Sequence, residues 1–331
     1  MSYTKLNVEN LKETRETVRK TLSRREKDIS KIKDKIKINK AEPRKTRKLL
    51  AADSGFNSAY ETPFVVFKSA VVNEEIEVQQ SNDVYLFHVD NYRTDRLQRL
   101  LMQQTLYEAL LKSVESGVVD GSIILVDGTI TLTIFIPTLK DSREYMDCFQ
   151  EFYEDVYSSL LDLCIKKQVF LLGFLKRTGS RYLAEYLEVK ELYDIYILNY
   201  ALRESGTYIP PIPIGDSLAR NAGVRYDYAT FYLNLKSWNY RFELIRQQID
   251  GYLECIENLL YWSTEAHYGM NPIFSKADEY ARVTKREANL LFNHVIHSLS
   301  EDEQFRLRLE AKRKTHFGYG SRNLIGRFSR G

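Results

Sequence analysis

The chain is short of cysteine, of long apolar runs and of repeats. Cys148, Cys164 and Cys255 are an odd number among 331 residues and none sits in a CxxC pair. That argues against a disulfide framework and against a cysteine zinc site, and makes a reducing cytoplasm the expected compartment. No apolar stretch approaches the ~20 residues that span a bilayer, and the charged N-terminus lacks the apolar centre of a secretion signal. A soluble, cytoplasmic protein with no membrane partner is expected. Neither an internal repeat nor a low-complexity block occurs. At ~100–200 residues per domain, the length suits one large domain or two intimate ones with a sizeable core.

What is present is charge, unevenly placed. The net charge of +3 conceals residues 1–48, which hold 17 Lys+Arg against 7 Asp+Glu, and residues 312–331, which add six basic side chains and no acid. The remaining body, residues 49–311, is therefore near −13. Basic ends on an acidic body fit a polyanionic partner held outside a carboxylate-lined centre. For the first segment, charge that is merely solvated on a helix is the alternative.

Within residues 8–36, apolar residues recur at Val8, Leu11, Val18, Leu22, Ile29, Ile32 and Ile36, mostly at three-four spacing. This predicts a long amphipathic helix, a candidate for dimerisation or DNA contact, which "AEPRKTRK" ends because Pro43 cannot continue it. Strands are expected over 49–53, 64–72 and 84–89, then a helix over 92–116 and strands over 122–130 and 131–137. Further on, the pattern predicts a helix over 142–167, a strand over 169–177 and a helix through "YLAEYLEVKELYDIYILNYAL". A proline-rich loop follows over 208–215, then a hairpin of "ATFYLNL" and "YRFELI" across "KSWN". Helices flank 267–272, and a basic tail closes the chain. Strands first, then strands alternating with helices, predict an α/β fold: a mixed sheet flanked by helices.

Two acids stand at the ends of apolar strands: Asp53 after "LLAA" and Asp127 after "SIILV", each followed by a small-residue turn. In open α/β sheets such strand ends are where ligands bind. Glu108 falls on the line Leu97, Leu101, Gln104, Glu108, Leu111, which reads as the apolar stripe of the helix between them. A carboxylate there is costly unless something compensates it. Three converging acids repel one another unless they share a cation, and oxygen-only ligands select hard ions such as Mg²⁺ or Mn²⁺. Such an ion activates water and clamps a phosphoryl oxygen, and Lys176, ending "LLGFLK", is a candidate to contact the phosphate or to position that water. Taken alone, either aspartate reads first as a turn former. Glu108 has a salt-bridge alternative in Lys112, and Glu115 is a rival for its role. His294 and His297, three apart on a late helix, read as ordinary helix residues rather than metal ligands. Most of the 23 Tyr and 16 Phe belong to the core, with Tyr60 and Tyr268 placed to stack on a base.

In these residues the sequence resembles the NurA nuclease family, the partners of the HerA translocase. The family's strand ending in an aspartate turn is matched by Ala52-Asp53-Ser54-Gly55, its helical glutamate by Tyr107-Glu108-Ala109-Leu110, and its second strand-aspartate turn by Leu125-Val126-Asp127-Gly128-Thr129-Ile130. Its glycine-to-lysine strand is matched by Gly173-Phe174-Leu175-Lys176-Arg177-Thr178. "KELYDIYILNYALRESGTYIPPIP" resembles the family helix that carries an Asp into a proline-containing loop, and "FYLNLKSWNYRFEL" its late hairpin with an Arg. The order of the segments carries the resemblance, over roughly residues 49–295. The chain departs at the C-terminal motif, where the family has Gly-Tyr-Pro and later Ala-His. Here Met270 stands in the Tyr position and Asp278 in the His position, and Ser54-Gly55 replaces the usual Gly-Ser.

The resemblance implies a ribonuclease H-like sheet with a long N-terminal helix and added C-terminal helices. It divides the chain into a basic helical arm (1–48), a nuclease domain (49–311) and a basic tail (312–331). It further implies a homodimeric DNA nuclease that uses Mn²⁺ or Mg²⁺, degrades DNA from 5′ ends, cuts single strands, and works with a HerA-type hexameric ATPase in end resection. Asp53, Glu108 and Asp127 would bind metal, Lys176 would contact the scissile region, and Asp278 would be the fourth catalytic member. The substituted Tyr and His positions leave open a second reading, a catalytically weakened scaffold that binds DNA and docks on the translocase. An enzyme acting on RNA is a third.

Overall fold

The computed structural model describes residues 8–59, 64–87, 94–139, 141–176, 179–189, 192–214, 224–301 and 303–304. In chain order the helices are α1 (Val8–Ile32), α2 (Thr94–Glu115), α3 (Arg143–Glu151), α4 (Ser158–Lys166), α5 (Tyr182–Tyr186), α6 (Asp194–Ala201), α7 (Tyr252–Trp262), α8 (Pro272–Ala281) and α9 (Lys285–His297). The strands are β1 (Asn39–Lys40), β2 (Leu49–Ser58), β3 (Phe64–Asn73), β4 (Val78–Phe87), β5 (Ile123–Asp127), β6 (Phe170–Leu175), β7 (Thr207–Pro213), β8 (Tyr228–Leu235) and β9 (Trp238–Ile245). Strands and helices form two compact units, one drawn from Met1–Thr46, Phe174–Gly215 and Tyr226–Met270, the other from Arg47–Gly173, Asp216–Arg225 and Asn271–Gly331.

In the second unit the strands run in the order β6-β5-β2-β3-β4. β2, β3 and β4 form an antiparallel meander, whereas β5 lies parallel to β2, so the sheet is mixed as expected. The first half of β2 (Leu49 to Ala52) and nearly all of β5 (Ile123 to Val126) are buried, which is why these segments read as unbroken apolar runs rather than alternating ones. Helix α2 packs on β2, β3 and β4, and α8 packs on β2 and β3. The two helices cover opposite faces. Ser69 donates its hydroxyl to the Thr105 carbonyl of α2 at 3.1 Å, while its neighbour Lys68 pairs with Glu287 of α9 at 3.2 Å. Successive strand residues point to opposite faces, so one fixes α2's side and the other that of α8 and α9.

The long helix expected over 142–167 is present, with a π-helical turn at Phe152–Tyr157 between α3 and α4. The wider turn shifts the helical phase and buries Phe152, Val156 and Tyr157 together. Tyr157 stacks on Tyr107 at 5.4 Å and donates to the Ile130 carbonyl at 2.7 Å. The strand expected over 131–137 does not form. β5 already lies between β6 and β2, leaving no free edge beside it. Instead, Tyr145 and Arg96 side chains satisfy the Phe135 and Ile136 carbonyls, at 2.6 Å each.

The first unit holds β1-β7-β8-β9 in that order. The loop expected over 208–215 is largely strand β7. It pairs with β8 through Ile209↔Tyr232 and Ile212↔Thr230, so Pro210 and Pro211 occupy a bulge where no N–H is required. The single helix expected over 182–202 is two, α5 and α6, with Glu188 left-handed (φ 62°) after the first. Asp194 opens α6 fully buried. Its carboxylate accepts from Ser180 Oγ (2.6 Å), the Ala184 amide (3.0 Å) and Tyr232 Oη (2.8 Å). The lower end of α1 is part of the same core: Ile29 and Ile32 pack with Leu183, Leu187, Ile197 and Leu198, whereas Val18 and Leu22 are exposed. All three cysteines are free thiols, as expected, and burial pushes Cys164 up to about 12. Among the described residues no helix is long and apolar enough to cross a membrane.

Asp194 ties three segments together, so removing it strands three donors in the core. Asp194→Ala is expected to lower the unfolding free energy by about 3 kcal/mol. Urea denaturation followed by circular dichroism checks this, and a loss under about 1 kcal/mol would show that the carboxylate is not the latch.

Candidate active site

Asp53 and Asp127 meet through strand register. The parallel ladder pairs Leu49↔Ile123, Leu50↔Ile124, Ala51↔Leu125 and Ala52↔Val126, and each aspartate is the next residue of its strand. Neighbouring strands lie ~4.8 Å apart, and matched residues of a parallel pair point to the same face. Two carboxylates therefore emerge side by side, one level above the last apolar pair. Asp53 is 7% exposed and Asp127 half-buried. An Asp53 carboxylate oxygen accepts from the Ser54 amide at 2.7 Å, which turns the side chain along its own strand.

The chain beyond each acid differs. Asp53 continues in β2, which runs on to Ser58, so Ser54-Gly55 is not a turn. The glycine is needed for another reason. A Cβ at Gly55 would come within 2.7 Å of the Ala281 carbonyl oxygen at the end of α8, so Gly55 lets helix and strand approach. After Asp127 the strand does end, at Gly128 with φ 107°; a Cβ there would meet open space, so the backbone conformation alone demands glycine.

Glu108 sits differently from its expected place. The buried side of α2 runs through Leu100, Gln103, Tyr107, Leu110 and Val114, and of the line Leu97, Leu101, Gln104, Glu108, Leu111 only Leu97 is buried, the others being half-exposed. Gln104 donates to Glu108 at 3.1 Å, and Lys112 and Glu115 are exposed. Register also separates the faces. Ser54 lies opposite Ser69, on the α2 side, so Asp53 and its register mate Asp127 lie on the α8 side. Glu108 therefore lies on the helix that covers the face opposite the two aspartates. Accordingly, among the described residues no group of three or more His, Cys, Asp or Glu side chains is arranged to hold a metal ion.

Asp278 is carried by α8, on the face that bears Asp53. Asn271 caps this helix by accepting from the Ile273 amide at 2.8 Å, and Pro272 takes the first position. Ile273, Phe274, Ala277 and Ala281 are buried, and Asp278 is exposed. Lys176 is exposed just beyond β6, and His294 and His297 are exposed at the end of α9. Tyr60, Arg177, Thr178 and the basic tail lie outside the described residues.

A mixed sheet flanked by helices, with acids at register-matched positions of two adjacent parallel strands, is a ribonuclease H-like α/β fold. A family model described as the NurA domain matches residues 47–283, and the chain belongs to the NurA family. That range includes Asp53, Glu108, Asp127, Lys176 and Asp278. The fold is similar to the crystal structure of the NurA nuclease from Sulfolobus solfataricus, with TM-score 0.65 and 16% identity over 90% of this chain and 99% of that one. It is similar also to NurA crystallised with manganese (TM-score 0.54, 14%, 87% and 99%) and to NurA bound to dAMP and manganese (0.57, 13%, 90% and 99%). A search of curated proteins gives no match.

Gly55→Ala is expected to push the end of α8 away from β2 and to destabilise the fold by about 1–3 kcal/mol. Gly128→Ala is expected to cost about 1 kcal/mol or more through strain at positive φ. Thermal unfolding of both variants checks this, and wild-type stability for Gly55→Ala would show that the close approach is not a constraint.

Proposed function

We propose that this chain is a divalent-metal-dependent DNA nuclease, and the observation that carries the reading is the side-by-side emergence of Asp53 and Asp127 in a member of the NurA family. Manganese in related crystal structures supports the choice of ion, and the oxygen-only donors suit Mn²⁺ or Mg²⁺. Asp53 and Asp127 would hold the ion, with Glu108 reaching the strand ends from α2. Bound there, the ion supplies Lewis-acid polarisation of a phosphodiester and an activated water. The Ser54 amide holds the Asp53 carboxylate in one orientation, and the left-handed Gly128 lets the chain turn away directly after Asp127. Lys176 would offer its ammonium to a non-bridging phosphate oxygen. Asp278 would stand where the family places a histidine and, as a carboxylate, would be a poorer general acid near neutral pH.

Basic segments at both ends suit a DNA partner and extend the reading to a homodimer that degrades 5′ ends and cuts single strands beside a HerA-type hexameric ATPase. The competing reading is a catalytically weakened scaffold for that translocase. Met270 and Asp278 in place of the family Tyr and His favour it, as does the absence of a three-acid cluster among the described residues.

Labelled single- and double-stranded DNA incubated with Mn²⁺, with Mg²⁺ or with EDTA separates the two. The nuclease is expected to degrade DNA with Mn²⁺ and not in EDTA, and Asp53→Asn or Asp127→Asn to lower the rate by about 100-fold or more, since a bound metal ion contributes several kcal/mol. Full activity in both variants would sink this assignment, and no cleavage with any ion would establish the scaffold. Asp278→His is expected to raise kcat at pH 7 by about 10-fold, because imidazole is the better proton donor there. An unchanged rate would remove position 278 from the chemistry.

A further inference from the structure

Trp238, at the start of β9, and Tyr268, in the loop before α8, form an aromatic pair open to solvent. Trp238 is 49% exposed and Tyr268 60%, and their rings meet edge to face at 5.1 Å. Large aromatic side chains are among the residues whose burial gains most, so an exposed pair in mutual contact needs a reason.

The backbone holds this pair at a cost. Tyr268 is left-handed at φ 53°, an unusual conformation for a bulky side chain. It is pinned there from two sides: Tyr240 Oη donates to the Tyr268 carbonyl at 2.5 Å, and the next amide, Gly269, donates to the Thr264 carbonyl at 2.9 Å. Burial pushes the Tyr240 hydroxyl up to about 12, so it remains a donor. A Cβ at Gly269 would lie 2.1 Å from the Leu235 carbonyl oxygen, so the loop is pressed onto the end of β8. Across from it, Leu235 pairs with Trp238, making Lys236-Ser237 a two-residue turn with both residues at positive φ, 51° and 79°. Such turns ordinarily take Asn-Gly. Two strained loops thus converge on one feature, and stored strain clusters where ligands are gripped.

The size of the patch selects the occupant. Two half-exposed rings offer on the order of 200 Å², well below the roughly 800 Å² that each partner buries in a stable protein interface. The adjoining turn residues, Lys236, Ser237 and Asn239, are polar and supply no hydrophobic rim. A small planar face edged by a cation fits a single unpaired base on an anionic backbone. Resting on the nuclease reading above, we propose that Trp238 and Tyr268 form a stacking platform for an unpaired base of single-stranded DNA.

Trp238 reports on its own occupancy. The chain has one other tryptophan, Trp262, whose indole nitrogen is buried. The full chain is titrated with oligo(dT) in EDTA, reading tryptophan fluorescence and the anisotropy of a labelled oligonucleotide together, in the wild type, Trp262→Phe, Trp238→Phe and Tyr268→Ala. Quenching is expected in the wild type and in Trp262→Phe and is expected to vanish in Trp238→Phe. Tyr268→Ala is expected to bind about 5- to 150-fold more weakly, the range set by stacking one base. Blunt duplex DNA, with no unpaired base, is expected to leave Trp238 unquenched. Binding of oligo(dT) by anisotropy without quenching, or with unchanged affinity in Tyr268→Ala, would overturn the platform and leave the nuclease reading standing. No binding of any DNA would overturn both.

Discussion

The candidate site depends on the parallel register between β2 and β5. Pairing Ala52 with Val126 puts two carboxylates side by side, and a shift of one residue would send one of them to the opposite face. What holds the register is apolar: four buried residues on each strand, in a sheet covered on both faces. Two acids a strand spacing apart repel unless a cation lies between them. The same register that builds the core therefore sets two oxygen donors side by side, an arrangement that suits a hard divalent ion.

The surroundings serve that pair unequally. Gly55 admits the end of α8 onto β2, which brings the helix carrying Asp278 to the face bearing Asp53. Helix α2, which carries Glu108, covers the other face. The two aspartates are juxtaposed by register, and Glu108 accepts from Gln104.

Much of the fold was legible because burial writes itself as apolar runs. "LLAAD" and "SIILVD" announced two central strands and their acids, of which only Asp127 ends its strand, and the order of strands and helices pointed to the mixed sheet. Other elements were hidden by competing physics. The stripe of α2 was misplaced because the helix packs both on strands and on α4 and the π-turn, so apolar residues occur on more than one side and periodicity is blurred. "TLTIFIP" has strand composition but no open edge to join, which only tertiary structure decides. "YIPPIP" looked like a loop because proline cannot donate to a ladder, yet a bulge absorbs both prolines. The turn expected after Asp53 is strand, its glycine being required by a helix more than 200 residues away in sequence. Tyr268 stood out in the sequence, but its contact with Trp238, like the Asp194 latch, depends on long-range contacts that no local pattern reveals.

The central claim is that Asp53 and Asp127 share one divalent ion. Calorimetric titration of Mn²⁺ into the wild-type chain, Asp53→Asn and Asp127→Asn tests it most directly. The account predicts a binding site in the wild type that is lost in either single variant, since neither carboxylate suffices alone. Undiminished Mn²⁺ binding in both variants would contradict it.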